Sequence, residues 1–313
     1  MSTIRQFFMP KVSFGAVAFA FLFEFLSTPV FAERCFHTSF FGDTTRSVDT
    51  DEDLRSHYLQ MLGYSTHIWI DEYRISRKIY ILQQLRAEGY QFKIVLNPYW
   101  TFFKGRFVLL DDYTSRWASL RDVIIMHDLE IDAIYLIDEP YARAERSGYS
   151  LDEVSPTLLG LKGIVEKDFP QLAWWVIESH KYFDRYNSLS AVFDQVGFNC
   201  YGPFDACGSS KRKIDVGYQY HRILQKDQSA SLITVPGVFS GSVQKTFGEG
   251  ELSSLLDEYI DYSKRNKQVT GVVYFTYNSY VRKNGDNVIG VEQLPSIQSN
   301  LRRIKTKISC DNG

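Results

Sequence analysis

The sequence predicts a single (β/α)₈ barrel of the α/β class, a TIM barrel. Strand-like apolar runs alternate eight times with segments that show helical apolar spacing. No shift in composition marks a linker between domains. An open doubly wound sheet, the alternative fold, is expected to carry a glycine-rich turn after an early strand, and this sequence has none. The chain has 313 residues, which is long for an ordinary domain but normal for one barrel.

The predicted strands are short runs rich in β-branched and aromatic residues, and they end at polar residues, glycine or proline. These strands cover residues 35–42, 66–71, 92–97, 131–138, 172–178, 195–201, 231–237 and 271–277. The predicted helices cover residues 49–62, 73–88, 111–129, 151–167, 182–193, 214–226, 251–267 and 292–308.

The fourth strand carries the most informative stretch, residues 131–140, where an apolar run ends in two carboxylates and a proline. Its length and β-branched content are typical of a strand buried on both faces in a parallel sheet. Pro140 ends the strand, so Asp138 and Glu139 lie at its C-terminal end. The alternation of a strand predicts that these two side chains point to opposite sides.

In such a barrel the C-terminal ends of all the strands meet on one face, where active sites form. We predict catalytic roles there for Glu139, Asp138 and Glu178. We predict that the other polar and aromatic residues at or just past strand ends bind a ligand: Asp71, Asn97, Trp100, Tyr141, Asn199, Tyr201 and Tyr277. Carboxylates and amides bind hydroxyl groups, and aromatic faces stack on sugar rings, so the expected ligand is a carbohydrate.

Residues 1–32 are typical of a secretory signal peptide. Arg5 and Lys11 form a basic start, an apolar run follows, and small residues precede a cleavage site after Ala32. The remaining barrel domain, 33–313, keeps 33 basic and 36 acidic side chains, a net charge of −3. We therefore expect a secreted or periplasmic protein that has no nucleic-acid partner and no stable membrane insertion after cleavage.

All four cysteines lie in the part predicted to be exported, where disulfides form. Cys200 and Cys207 are close in sequence, and Cys35 and Cys310 flank the folded region. Of the three ways to pair four cysteines, we therefore predict the one with disulfides Cys200–Cys207 and Cys35–Cys310. The cysteines and histidines show no metal-ligand spacing, and we expect no metal and no cofactor.

Three short motifs resemble a known family: the acid-Glu-Pro triplet that ends strand four, Phe198-Asn-Cys-Tyr201 in strand six, and Gly271-Val-Val-Tyr-Phe275 in strand eight. They are similar to the (β/α)₈ glycoside hydrolases of the large clan whose acid/base glutamate ends strand four. The resemblance implies that Glu139 donates a proton to the leaving glycosidic oxygen. Where the clan usually has an asparagine before this glutamate, this chain has Asp138.

The clan's nucleophile, a glutamate that ends strand seven, is missing, because residues 234–240 contain no carboxylate. Retaining glycosidases hold their two carboxyl groups about 5 Å apart, and inverting ones hold them roughly 6.5–9.5 Å apart. Strand spacing places Glu178 nearer the shorter separation from Glu139, and Asp71 nearer the longer one. The alternatives are a carbohydrate-binding barrel without turnover, or a metal-dependent hydrolase built on Asp71, Asp138 and Glu139.

Overall fold

Eight parallel strands form the central sheet in the computed structural model, which describes residues 37–41, 48–209, 212–241, 247–281 and 287–308. In chain order the strands are β1 (His37–Phe40), β2 (His67–Asp71), β3 (Lys93–Asn97), β4 (Ala133–Tyr135), β5 (Ala173–Ser179), β6 (Gln195–Asn199), β7 (Leu232–Val235) and β8 (Val269–Tyr274). Strands adjacent in sequence are hydrogen-bonded from β2 to β8, and β8 pairs with β1. The N–H of Thr66, just before β2, donates to the carbonyl of Thr38 in β1 at 2.9 Å, so the sheet closes into the predicted barrel.

Helices surround this barrel. They are α1 (Asp51–Leu62), α2 (Ile75–Ala87), α3 (Tyr99–Phe102), α4 (Tyr113–Met126), α5 (Pro140–Arg146), α6 (Val154–Val165), α7 (Tyr186–Ser190), α8 (Val216–Lys226), α9 (Glu249–Arg265) and α10 (Pro295–Ile308). Helix α5 was not predicted. Pro140 occupies its first turn, where the missing N–H of proline costs no hydrogen bond. Strand β4 is correspondingly shorter than predicted.

The core has two layers because successive side chains of a strand point to opposite faces. The inner layer fills the barrel and includes Trp69, Tyr135 and Trp175. The outer layer lies between the strands and the helices and includes Trp174 and Val176, which alternate with Trp175 along β5. A residue's position in this alternation therefore decides whether it can face the mouth of the barrel.

A short antiparallel hairpin follows β6, formed by Cys207–Ser209 and Arg212–Ile214. The structure brings Cys200 and Cys207 together as a disulfide, with their Cα atoms 5.8 Å apart, and this bond ties the base of the hairpin to the end of β6. The predicted Cys35–Cys310 pairing and the predicted signal peptide, 1–32, lie outside the described residues.

No described helix has both the length and the apolar character of a membrane span.

Candidate active site

Two adjacent carboxylates, Asp138 and Glu139, lie where the chain leaves the barrel after β4. Leu136 and Ile137 both belong to the outer layer of the core, so the regular alternation of the strand does not continue to Ile137. Glu139 then adopts a left-handed backbone, with φ 47° and ψ 57°, which is uncommon outside glycine. The two carboxylates consequently do not follow the strand alternation from which opposite orientations were predicted.

The carboxylate of Glu139 has a partner for each oxygen. The Asn199 Nδ2 donates to Oε1 at 2.7 Å, and the Arg146 guanidinium contacts Oε2 at 2.8 Å. The backbone is also held, because the Glu139 N–H donates to the carbonyl of Ile177 at 2.8 Å. Asn199 ends β6 and Ile177 lies in β5, so Glu139 is fixed across three neighbouring strand ends.

Asp138 lies beside it and contacts the inner layer of the barrel. The Tyr135 hydroxyl donates to Oδ1 at 3.0 Å, and Arg143 contacts Oδ2 at 3.2 Å. Burial, and second the charge of Glu139, raise the pKa of Asp138 to about 6, although Arg143 opposes the shift. Adjacent carboxylates of this kind resist double ionisation, so the pair can retain a proton close to neutral pH.

Aromatic rings line the barrel interior near this pair. The ring of Tyr135 packs against Trp69 with centroids 4.5 Å apart and meets the edge of Phe41 at 5.5 Å. Tyr201, just past β6, stacks on Phe275 with centroids 4.6 Å apart. The predicted position of Tyr201 beside the mouth therefore agrees with this aromatic wall, which offers flat apolar surface close to the carboxylates.

Glu178 occupies a different environment from the one expected of a second catalytic carboxylate. It is fully buried, and it alternates along β5 with Trp174 and Val176 of the outer layer. Its oxygens accept hydrogen bonds from the N–H groups of Ser179 and Tyr141, both at 2.7 Å, and of Ala142 at 3.4 Å. Glu178 thus anchors the first turn of α5.

Burial raises the pKa of Glu178 to about 8. The backbone N–H donors oppose this shift, and the charge of Glu139 adds to it.

Two other polar candidates, Asp71 and Asn97, form contacts within the protein: both accept a hydrogen bond from the backbone, and Asp71 also forms an ion pair. Asp71 is buried and pairs with Lys78 Nζ at 2.5 Å, and it also accepts the N–H of Tyr73 at 3.0 Å. Asn97 accepts the N–H of Tyr99 at 3.2 Å through its side chain and so supports the turn that follows β3. Both residues end neighbouring strands, in register with each other.

The aromatic candidates differ in exposure. Trp100 is 45 % exposed in the short helix α3, which follows β3. Tyr141 and Tyr277 are buried instead: the Tyr141 hydroxyl lies 3.0 Å from Ser155 Oγ, and the Tyr277 hydroxyl donates to Gln60 of α1 at 2.7 Å. Both of these tyrosines pack in the outer layer of the core.

Sequence reasoning missed three residues that contact the carboxylates: Tyr135, Arg143 and Arg146. Tyr135 looked like a strand residue and no more. The two arginines follow Glu139 by four and seven residues, a helical spacing that could have signalled them had α5 been predicted. Within the described residues, no group of three or more His, Cys, Asp or Glu side chains is arranged to hold a metal ion, and this applies to Asp71, Asp138 and Glu139 as well.

Comparison with solved structures shows that several other proteins share this barrel fold. The chain is similar to Bacteroides uniformis β-glucuronidase 2, with a TM-score of 0.54 and 14 % identity over 79 % of this chain and 31 % of that protein. The fold that the two proteins share is the (β/α)₈ barrel. A GH2 β-galacturonidase from Eisenbergiella tayi gives a TM-score of 0.56 at 9 % identity, over 82 % of this chain and 48 % of that one.

A Rhizomucor miehei β-1,3-glucanosyltransferase gives a TM-score of 0.52 at 12 % identity, and the match covers 77 % of this chain and 86 % of that enzyme. The matched barrel thus spans about a third of the length of the β-glucuronidase and most of the length of the glucanosyltransferase. At these identities the similarity establishes the fold. No protein-family profile and no curated protein matches the sequence.

Proposed function

We propose that this chain is an exported glycoside hydrolase-like enzyme that acts on a glycan, with Glu139 as the general acid/base. The observation that carries the proposal is the Asp138–Glu139 pair at the end of β4, held by Asn199 and by two arginines. Glycosidases need a carboxyl group that still carries a proton near neutral pH. The raised pKa of Asp138 supports a proton within this pair.

Asp138 is a better second catalytic carboxylate beside Glu139 than Glu178 or Asp71. Glu178 uses both oxygens on the backbone of α5 and has no exposed surface. Asp71 is buried in an ion pair with Lys78. Asp138 is adjacent to Glu139 and shares its electrostatic environment, so protonation of one carboxylate depends on the charge of the other.

The loops around the mouth support a carbohydrate ligand. Trp100 in α3 and Tyr73 on the loop after β2 are each 45 % exposed, and partly exposed aromatic rings near strand ends are suited to contact with a sugar. Asn199 presents an amide beside Glu139. The similar structures are named as β-glucuronidases, a β-galacturonidase and a β-1,3-glucanosyltransferase, all of which act on sugars.

A panel of polysaccharides incubated with the mature chain, with release of reducing ends as the readout, tests this function. Wild-type protein should release product from at least one glycan, and the Glu139→Gln variant should bind the same glycan without releasing product. Loss of folding in the variant, with unchanged activity per folded molecule, argues against the assignment. Export is tested separately by the N-terminal sequence of the protein recovered outside the cytoplasm, which should begin after Ala32.

One observation favours a second candidate, a barrel that binds carbohydrate without turnover. The segment after β7 contains Pro236, Gly237 and Val238 and no carboxylate, so the nucleophile of the resembling clan has no counterpart there. The same panel separates the two functions, because retention of a glycan with no released reducing ends supports the binding protein.

A further inference from the structure

Four segments that follow β5 and β6 line a polar cleft of about 500 Å³. These are the 3₁₀ helix His180–Arg185, helix α7, the hairpin strand Arg212–Ile214 and helix α8. Its volume falls within the usual range of ligand-binding pockets. The disulfide at the base of the hairpin fixes one wall of the cleft relative to β6.

The charge of the cleft is opposite to that of the chain. Lys181, Lys213, Arg222 and Lys226 line it together with a single carboxylate, Asp184, whereas the whole chain has a net charge of −2. Across the described parts of the chain, no carboxylate lies within ion-pair distance of the three lysines. A concave surface lined by one sign of charge concentrates ligands of the opposite sign.

Helix α8 places two of these cations on one face. Arg222 and Lys226 are four residues apart, and like charges at this spacing destabilise a helix slightly. The Arg222 guanidinium lies over the ring of Tyr218, 5.9 Å from its centroid, and contacts Gln219 Oε1 at 3.5 Å, and no carboxylate of the described residues forms an ion pair with it. An anion bound in the cleft would relieve this repulsion.

The cleft reaches the end of the barrel at which the carboxylate pair lies. His180 lines the cleft and directly follows β5, and its Nδ1 is 3.2 Å from the carbonyl oxygen of Asn199. The side chain of Asn199 contacts Glu139. One residue of β6 therefore touches both places, and an extended ligand seated in the cleft leads directly to the mouth.

We propose that this cleft binds the acidic groups of an anionic glycan, such as uronate carboxylates or sulfate esters, while a neighbouring sugar occupies the mouth. This inference rests on the proposed function, for which it names the substrate class. Nucleic acid is the less favoured ligand, because the chain has a net negative charge overall.

The test measures binding of the mature chain to polygalacturonate, to dextran sulfate and to neutral dextran, at low and high salt. We expect the acidic polymers to bind more tightly than dextran and to dissociate as salt increases, since screening weakens exposed ion pairs. The first two polymers also separate carboxylate from sulfate recognition. A single-stranded oligonucleotide serves as the fourth ligand.

A pair of double variants locates the binding. Lys213→Gln/Lys226→Gln should weaken binding of the preferred acidic polymer by roughly fivefold, the combined effect of two exposed charge contacts. Lys264→Gln/Lys267→Gln is the matched control. It removes the same charge from two exposed lysines that do not line the cleft, one in α9 and one between α9 and β8, and should leave affinity unchanged.

Equal losses in the two double variants would overturn the proposal, and so would acidic polymers that bind no better than dextran or an oligonucleotide that binds best. Failure of the proposed function is recognised separately. If wild-type protein binds the acidic polymer through the cleft lysines but cleaves no glycan, the cleft proposal stands and the proposed hydrolase activity is wrong. If the protein cleaves a neutral glycan and does not bind acidic ones, the hydrolase activity stands and the cleft proposal is wrong.

Discussion

Asn199 at the end of β6 donates a 2.7 Å hydrogen bond to Glu139 at the end of β4, across the intervening strand β5. The contact orients a carboxylate whose own backbone is in an uncommon left-handed conformation, which costs roughly 1–2 kcal/mol for a residue with a side chain. Such conformations persist where the surroundings hold them, and they are concentrated at functional sites. The geometry of Glu139 therefore depends on β6 as much as on β4.

Replacing Glu139 by glutamine should abolish glycan hydrolysis while leaving the melting temperature nearly unchanged. Glutamine keeps an oxygen for Asn199 but has no proton to donate, and loss of general acid catalysis lowers rates by roughly 10²–10⁴-fold. Release of reducing ends and a thermal melt measure the two quantities. The control is Glu258→Gln, an exposed glutamate on α9 that should change neither. If the activity of the Glu139 variant were within twofold of wild type, Glu139 would not be the general acid/base.

The pH dependence of hydrolysis should have an alkaline limb near pH 6. The pKa of Asp138 is raised from its usual 3.8 to about 6, so the carboxylate pair loses its proton as pH increases through that value, and the supply of acid is lost. We expect kcat/KM to fall above this pH in wild-type protein. Asp138→Asn removes the titrating carboxyl group and should abolish or displace the limb. A variant that kept the wild-type limb would assign the titration to another group.

The sequence was sufficient to predict the barrel because its eight apolar runs and their spacing are properties of the chain alone. Glu139 and Asn199 were predicted for the same reason, since both end strands that converge on one face. The carboxylate pair was recognised from the abrupt end of one apolar run. Its partners Arg143 and Arg146 were not recognised, because they belong to α5, which begins at a proline interpreted only as the end of a strand.

Glu178 shows why position at a strand end is insufficient to predict that a side chain faces the mouth of the barrel. The alternation of β5 places it on the face of Trp174 and Val176, which pack against helices, and its neighbour Ser179 has the opposite orientation. This signal was present in the sequence. Tyr141 and Tyr277 illustrate the other limit, because only tertiary packing decides whether an aromatic side chain near the mouth is exposed or buried.

Glu178 should control stability rather than chemistry. Its pKa is raised from the usual 4.5 to about 8, so the folded chain holds a proton that the unfolded chain releases. The resulting stabilisation is fully present below about pH 4.5 and is lost as pH rises to 8. We expect the melting temperature of wild-type protein to fall over this range, and the Glu178→Gln variant to show a shallower dependence.

Glu178→Ala tests the anchoring of α5 directly. It leaves three buried N–H groups without their acceptor, and the expected loss is about 3 kcal/mol in the free energy of unfolding. Urea denaturation measures this loss. Activity per folded molecule should survive in Glu178→Gln. Full stability in that variant, combined with abolished hydrolysis, would instead assign Glu178 to catalysis, as the sequence suggested.

The buried pair Asp71–Lys78 should behave as a structural ion pair. Asp71→Asn leaves the Lys78 ammonium in a buried site without its carboxylate, which costs roughly 3–5 kcal/mol of stability. Asp71→Asn/Lys78→Met removes both charges and should recover much of that loss, whereas breaking the exposed pair Asp112–Arg116 should cost less than about 1 kcal/mol. Urea denaturation of wild-type protein, Asp71→Asn, Lys78→Met and the double variant gives the coupling energy. An Asp71→Asn variant with wild-type stability and lost glycan affinity would show that Asp71 contacts the ligand, because a carboxylate needed only for the fold cannot be neutralised without cost.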